Sequence, residues 1–325
     1  MRTGNELIQA SKSFAQENRL QSWLHVGITL LVLAMCVAVT AVPLWWPVRA
    51  LFSVLFGLTV VRMFCLYHDF LHNAILKRSA IAKWLVMYPF GLYVLTPPNV
   101  WKQTHNYHHA HTAKIVGSHV GSYPMVTTEM WKQMTLGQRV MYRIARHPLN
   151  IAFGYITIFL FGMCVSSFVR NPRKNWDSLL ALVLHGMLSA AIIYYGGWAL
   201  WFFTLLLPLV VAFAAGGYLF YAQHNFEGVH VQPRHEWNYT DAALHSSSYL
   251  KSGPIMRWFT ANIGYHHVHH LNPTIPFYRL PEVMAAMPEL QHPKTTSFAI
   301  KDMAKCFSLK LWDPEKQRMV GYGEA

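Results

Sequence analysis

The apolar residues of this chain form long unbroken runs, not alternating or one-faced patterns. A stretch that is apolar on every side reads as a helix that is buried or faces lipid all round. Three runs stand out: about 26–46, about 51–66, and 178–221, the last broken by Gly196-Gly197. A bilayer crossing takes about 20 apolar residues, with a range of about 17 to 25. Splitting the third run at the glycine pair therefore predicts two helices, 178–195 and 199–221. Two more apolar stretches, 81–96 and 151–168, are of marginal length. The expected fold is an all-α integral membrane protein: four transmembrane helices in two hairpins, membrane-lying helices, and a histidine-rich cap. The first run begins too late and runs too long for a cleaved signal peptide, and reads as a retained anchor.

Lys and Arg favour the cytoplasmic side. The turn after the first run carries only Arg49, and the turn at Gly196–Trp198 carries no cation. The remaining loops hold Lys77, Arg78, Lys83, Lys102, Arg139, Arg143, Arg146, Arg170, Arg173 and Lys174. This predicts that both termini and the cap are cytoplasmic. It also makes 169–177 cytoplasmic, so that 151–168, like 81–96, lies on the membrane or dips into it without crossing.

Composition agrees with this picture. Apolar residues make up 53% of the 325 positions and charged residues 13%, about half the usual share of charge. That excludes an ordinary soluble enzyme and a disordered chain. The formal net charge of +13 marks the cytoplasmic face; no nucleic-acid partner is expected. The abundant Trp and Tyr fit interfacial belts. Cys36, Cys65, Cys164 and Cys306 are far apart and read as buried apolar residues in a reducing compartment. No repeat or second domain is visible. A single domain, 1–325, is expected, with a core at about 50–285 and peripheral segments 1–25 and 286–325.

The 19 histidines outnumber the 14 carboxylates. Eight of them form three boxes: His68 and His72; His105, His108 and His109; His266, His269 and His270. At this histidine content an H-x-x-H-H pattern is expected by chance only about 0.06 times, and it occurs twice. Positions i, i+3 and i+4 share a helix face, so each box is expected to aim two or three imidazoles at one point. With four crossings all three boxes lie on one side of the membrane. If 151–168 crossed as well, the third box would be stranded opposite the first.

Imidazole suits Fe, Zn, Cu and Ni, and eight rings exceed the coordination of one metal, so two metals are expected. A zinc hydrolase also needs a water with a base beside it, and only Asp69 and Glu227 are nearby. Glu227-Gly-Val-His230 is a lone Glu-x-x-His and is not expected to be a ligand pair. Neutral ligands at a membrane point to iron and O2 activation on an apolar substrate. A transporter would hold its ligands near the midplane, and a haem protein would place single histidines on facing spans. Asp69, His111 and His267 are expected behind the ligands. His25, His119, His147, His185, His230, His235, His245 and His292 are not expected to bind metal.

At these residues the chain resembles the three-histidine-box membrane fatty acid desaturases, most of all the bacterial acyl-lipid enzymes. Leu95-Thr-Pro-Pro-Asn-Val-Trp101 leads into the second box as in that group. Phe220-Tyr-Ala-Gln-His-Asn-Phe-Glu-Gly228 is similar to its Gln-His segment, and Asn262 to Pro276 to its third box and flanks. The likeness covers about 50–285. It departs at box one, where Phe70-Leu71 and Asn73 replace the common Cys-Gly and Gly.

The resemblance implies that nine imidazoles, the eight of the boxes and His224, bind two non-haem irons, with Asn262 behind them. It implies O2 as co-substrate, a fatty acyl lipid as substrate, a C=C bond as product, and a bacterial inner membrane as the location. An acyl or alkane hydroxylase would use the same boxes. The chain has no His-Pro-Gly-Gly motif of a fused cytochrome b5, so electrons are expected from a separate donor such as a ferredoxin. Arg143, Arg146 and Arg173 offer it a basic docking face.

Overall fold

A computed structural model describes residues 2–115 and 120–325; His119, read above as a non-ligand, lies outside the described residues. Local chemistry sets the ends of the long helices. Arg19–Ala41 starts at Asn18, whose side-chain oxygen accepts from the Gln21 amide at 3.1 Å. It ends just ahead of Pro43, before which the helical conformation is disfavoured. Trp46–Leu71 carries Pro47 in its first turn, where the missing N–H has no partner to lose. The third apolar segment, Trp176–His224, bends at Gly197 (φ 77°, ψ 175°), a conformation that only glycine adopts without strain. All three are long and apolar enough to cross a membrane.

Trp46–Leu71 is the central helix. Within its most apolar window 61% is buried, against 22% and 28% for the other two, because Arg19–Ala41 covers one side and Leu207–His224 the other. Gly57 permits the second contact: a Cβ there would stand 2.5 Å from Pro208 O and 2.8 Å from Val211 Cβ. Small residues at such crossings let helix backbones approach.

The two bends lie together. Arg49 donates from Nε to Thr40 O at 3.0 Å, and its guanidinium lies 4.4 Å from the Phe203 ring centre. Ser53 donates to Phe203 O at 2.6 Å. At the opposite ends, Trp46–Leu71 finishes beside His72 and Leu207–His224 finishes at His224. Asp177, at the start of the third segment, accepts from the Asn99 amide at 2.7 Å. It thereby supplies an acceptor and a negative charge to the N-terminus of Pro98–His111.

The stretch 81–96 forms two consecutive short helices, Ala82–Met87 and Tyr88–Tyr93. Tyr155–Arg170 is apolar but too short to count with the three long helices. Tyr155 stacks on Phe213 and meets His185 Nε2 at 2.5 Å, while Cys164 Sγ reaches Leu95 O at 3.4 Å.

The all-α expectation needs one correction. Residues 249–251 pair in parallel with 295–297, and 311–313 pair antiparallel with 318–320. Strands of three residues are too short to show a period of two, and the first pair joins segments far apart in sequence. Both chain ends fold onto the cap. Leu7 and Trp312 are each 1% exposed, Asn272 donates to Ser11 Oγ at 2.9 Å, and Arg2 pairs with Glu289 at 2.9 Å.

Gly57→Ala should lower stability by about 1–3 kcal/mol through overpacking. Gly27→Ala, with nothing within 4 Å of the new methyl, should not lower it, since Ala is the better helix former. Thermal unfolding of the two variants in detergent checks the contrast.

Candidate metal centre

Each box occupies the end or the whole of a helix. His68 and His72 close Trp46–Leu71, His105, His108 and His109 lie on Pro98–His111, and His266, His269 and His270 lie on His266–Leu271. The ring nitrogens gather in two groups. One holds His68, His72, His105, His109 and His269; the other holds His108, His224, His266 and His270. Within each group the ligand atoms all lie within 4.8 Å of one another. His224 ends its own helix and joins the second group.

Boxes two and three each aim two imidazoles at one group, as their spacing predicts, and the third ring at the other group. Each sends its i, i+4 pair to one group and its intervening member to the other. Residues four apart differ by about 40° around a helix, whereas adjacent positions such as His108 and His109 differ by about 100°. The two boxes are used in opposite senses, so each group receives a pair from one and a single ring from the other.

Within the groups, Nε2 faces Nε2 at 3.1 Å for His105–His109, 3.2 Å for His109–His269, 3.1 Å for His108–His224, 2.9 Å for His224–His266 and 3.1 Å for His266–His270. A metal held about 2.0–2.1 Å from each imidazole nitrogen spaces neighbouring donors about 3.0 Å apart at right angles. The observed spacings match that edge length. His72 Nε2 is buried and has no hydrogen-bond partner. The donor set thus fits two metal ions.

Charge supports the same conclusion. Burial, and then the neighbouring imidazoles, hold His105, His108, His109, His266, His269 and His270 well below the usual histidine range. Burial thus favours the neutral ring, which is the form that binds metal.

Several contacts orient the rings from behind. Asp69 Oδ1 faces His68 Nδ1 at 3.1 Å, and Asp69 Oδ2 accepts from the Phe277 amide at 2.8 Å. Phe277 O in turn accepts from Asn262 Nδ2 at 3.2 Å. One carboxylate thereby ties box one to the segment after box three. His224 Nδ1 faces Ser246 O at 3.1 Å. Thr112 donates to His108 O at 2.8 Å and faces His270 Nδ1 at 3.4 Å. Trp101 stacks on His105 at 4.2 Å.

The other named residues lie apart from the two groups. His267 turns to Leu290 O at 3.1 Å, and burial pushes it down to about 4. His111 stacks on Tyr107 and bonds Tyr107 O at 2.9 Å. His230 and His245 share the carboxylate of Asp241 at 2.9 and 2.8 Å. Glu227 pairs with Lys305 at 3.0 Å, so the lone Glu-x-x-His does not converge. His25 contacts Arg62 and His147 caps a short helix.

Arg146 corrects the expected docking face. It is 1% exposed and its guanidinium donates to Pro124 O, Asn225 and Tyr221, so it cannot meet a partner protein. Arg143 and Arg173 remain exposed.

Sequence reasoning did not single out Trp101, Thr112, Ser246 or Phe277 as parts of this site. Trp101 and Thr112 flank box two at helical spacing, four residues from His105 and His108 respectively, a readable signal. Ser246 and Phe277 act through their peptide groups, which no side-chain pattern reports.

The sequence profile described as "Fatty acid desaturase" matches residues 43–299. A fatty acid desaturase of Bacillus subtilis is 26% identical over 264 residues, covering 81% of this chain and 74% of the relative. An sn-1 oleoyl-lipid 12-desaturase of a Picosynechococcus species is 22% identical, covering 85% and 79%. An sn-1 acyl-lipid omega-3 desaturase (ferredoxin) of a Nostoc species is 23% identical, covering 82% and 74%.

Asp69→Asn retains an acceptor for the Phe277 amide but loses the carboxylate facing His68. Metal affinity should fall about 10–100-fold, the usual effect of losing a partner behind a ligand, as measured by chelator competition.

Proposed function

The chain belongs to the fatty acid desaturase family and is an oxidoreductase, and from that premise we propose that it desaturates acyl chains of membrane lipids at a histidine-held di-iron centre. His68, His72, His105, His109 and His269 hold one iron; His108, His224, His266 and His270 hold the other. The irons supply the redox chemistry: O2, two electrons and two protons take two hydrogens from adjacent CH2 groups, leaving a C=C bond and two waters. The protein's residues prepare the site for this. Burial keeps the imidazoles neutral, while Asp69, Thr112 and Ser246 fix ring orientation. The helix packing that excludes water keeps oxidation on the bound chain. The observation that carries the reading is the pair of imidazole groups with donor edges near 3 Å.

In this reading the single domain, 1–325, crosses a bacterial inner membrane four times. The support is that both bends lie together while the histidine-bearing ends lie opposite. The cationic loops put the centre and both termini in the cytoplasm. Electrons arrive from a separate acidic carrier, such as a ferredoxin, on a face bearing Arg143 and Arg173. Reversing both charges should slow reduction by the carrier about tenfold or more at low salt, with the difference shrinking at high salt; stopped-flow reduction measures it.

Expression in a host lacking polyunsaturated fatty acids, followed by lipid analysis with double-bond mapping, tests the activity. A new unsaturated species is expected; a hydroxylated product overturns desaturation in favour of hydroxylation. His108→Ala should insert normally and lose all activity, and activity retained by it refutes the ligand assignment.

A further inference from the structure

The eight box rings come in twos and threes on shared helices. His224 comes singly, from the last turn of Leu207–His224. Its Nε2 faces His108 Nε2 at 3.1 Å and His266 Nε2 at 2.9 Å. A small shift of His224 therefore disturbs two edges of the four-histidine group at once. The last turn of a helix is also where backbone carbonyls lack helical partners and where helices fray.

A buried clamp holds that turn. Tyr221 and the capping Asn225 are four residues apart and share one helix face, and His224 projects about 60–100° away around the axis. The Arg146 guanidinium donates to both, to Tyr221 Oη at 3.2 Å and to Asn225 Oδ1 at 2.5 Å. The same fork reaches Pro124 O at 2.7 Å and Leu309 O at 3.2 Å. Asn225 Nδ2 in turn donates to Cys306 O at 2.6 Å and Leu309 O at 3.1 Å, and Lys310 Nζ donates to Arg146 O at 2.8 Å. Arg146, Tyr221 and Asn225 are all buried.

Among the described residues no carboxylate pairs with Arg146. A buried charge without a counter-charge is unfavourable, and the negative end of the helix dipole, at the turn that Arg146 grips, offsets part of that cost. A planar fork of several donors fixes orientation in a way that an apolar contact does not. Here it fixes the rotation of the helix end about its axis. None of its partners, Pro124, Tyr221, Asn225 and Leu309, lies on a segment that carries His68, His72, His105, His109 or His269.

We infer that Arg146 is a positioning residue for the four-histidine group alone: through Tyr221 and Asn225 it sets the rotation of the helix end, and so where His224 meets His108 and His266. The inference rests on the reading of the nine histidines as metal ligands. It makes residues 306–310 of the tail part of the frame of one metal position, while Asp69 and Trp101 frame the other.

Chelator competition and Mössbauer spectra of the iron-loaded protein test this. Arg146→Met should weaken one ion about 10–100-fold, the usual effect of losing a partner behind a ligand, and leave the other at wild-type strength. The spectral component it loses should be the one that His224→Ala removes, and not the one that Asp69→Asn weakens. Tyr221→Phe loses one hydrogen bond to a charged group and should weaken the same ion about tenfold; it decides the matter if Arg146→Met does not fold. Equal weakening of both ions shows a general packing role and overturns the inference. So does weakening of the ion that His224→Ala retains, or wild-type affinity for both ions in a folded variant. Failure of the wild type to take up iron instead overturns the ligand assignment.

Discussion

Nine imidazoles can share one small interior only while they are neutral, and the structure is arranged around that constraint. A protonated ring would place a cation about 3 Å from its neighbour in a space with little water, where such repulsion is poorly screened. The site therefore depends on burial. Burial comes from the packing of the central helix, Trp46–Leu71, between Arg19–Ala41 and Leu207–His224, and from the cap that closes over the helix ends. With the ring proton on Nδ1, the facing Nε2 lone pairs have no donor between them, and a cation held there satisfies them.

The long helices convert membrane geometry into site geometry. Two bends, one at residues 42–45 and one at Gly197, lie together at one end. This leaves the histidine-bearing ends together at the other. Box two is set by a different device: the carboxylate of Asp177 seats the N-terminus of Pro98–His111. Box three follows a tight turn through Ala261 and Asn262, both with positive φ, and is fastened by Asn262 and Asp69 to the peptide of Phe277. Each ligand-bearing segment is held by a rigid element or by a buried polar contact, as a preorganised metal site requires.

Charged groups are few in this chain, and the buried ones act locally. Asp69 and Asp177 each position a ligand segment. Arg62 spends its charge on Thr29 at 3.0 Å, His25 at 3.2 Å and the face of Trp258 at 4.2 Å, joining the first hairpin to the loop before box three. Arg146 joins the box-two side of the cap to the tail and has only neutral partners. The exposed cations lie elsewhere, so the net charge of +13 describes a surface, while the site is built from neutral rings and single buried ions.

The sequence by itself determined the histidine boxes, the apolar spans and the break at Gly196-Gly197. These are local properties: helix periodicity, run length and the conformational freedom of glycine are all written within a few consecutive residues. Only the tertiary structure decided how the rings divide into groups of five and four, that Arg146 is buried while Arg143 is exposed, and that peptide groups of Ser246 and Phe277 orient the ligands. It also decided the two short sheets, the first of which pairs residues some 45 positions apart. The reason is the same in each case. The angle between His108 and His109 on their helix is a local fact, but which group each ring meets depends on the position of helices remote in sequence.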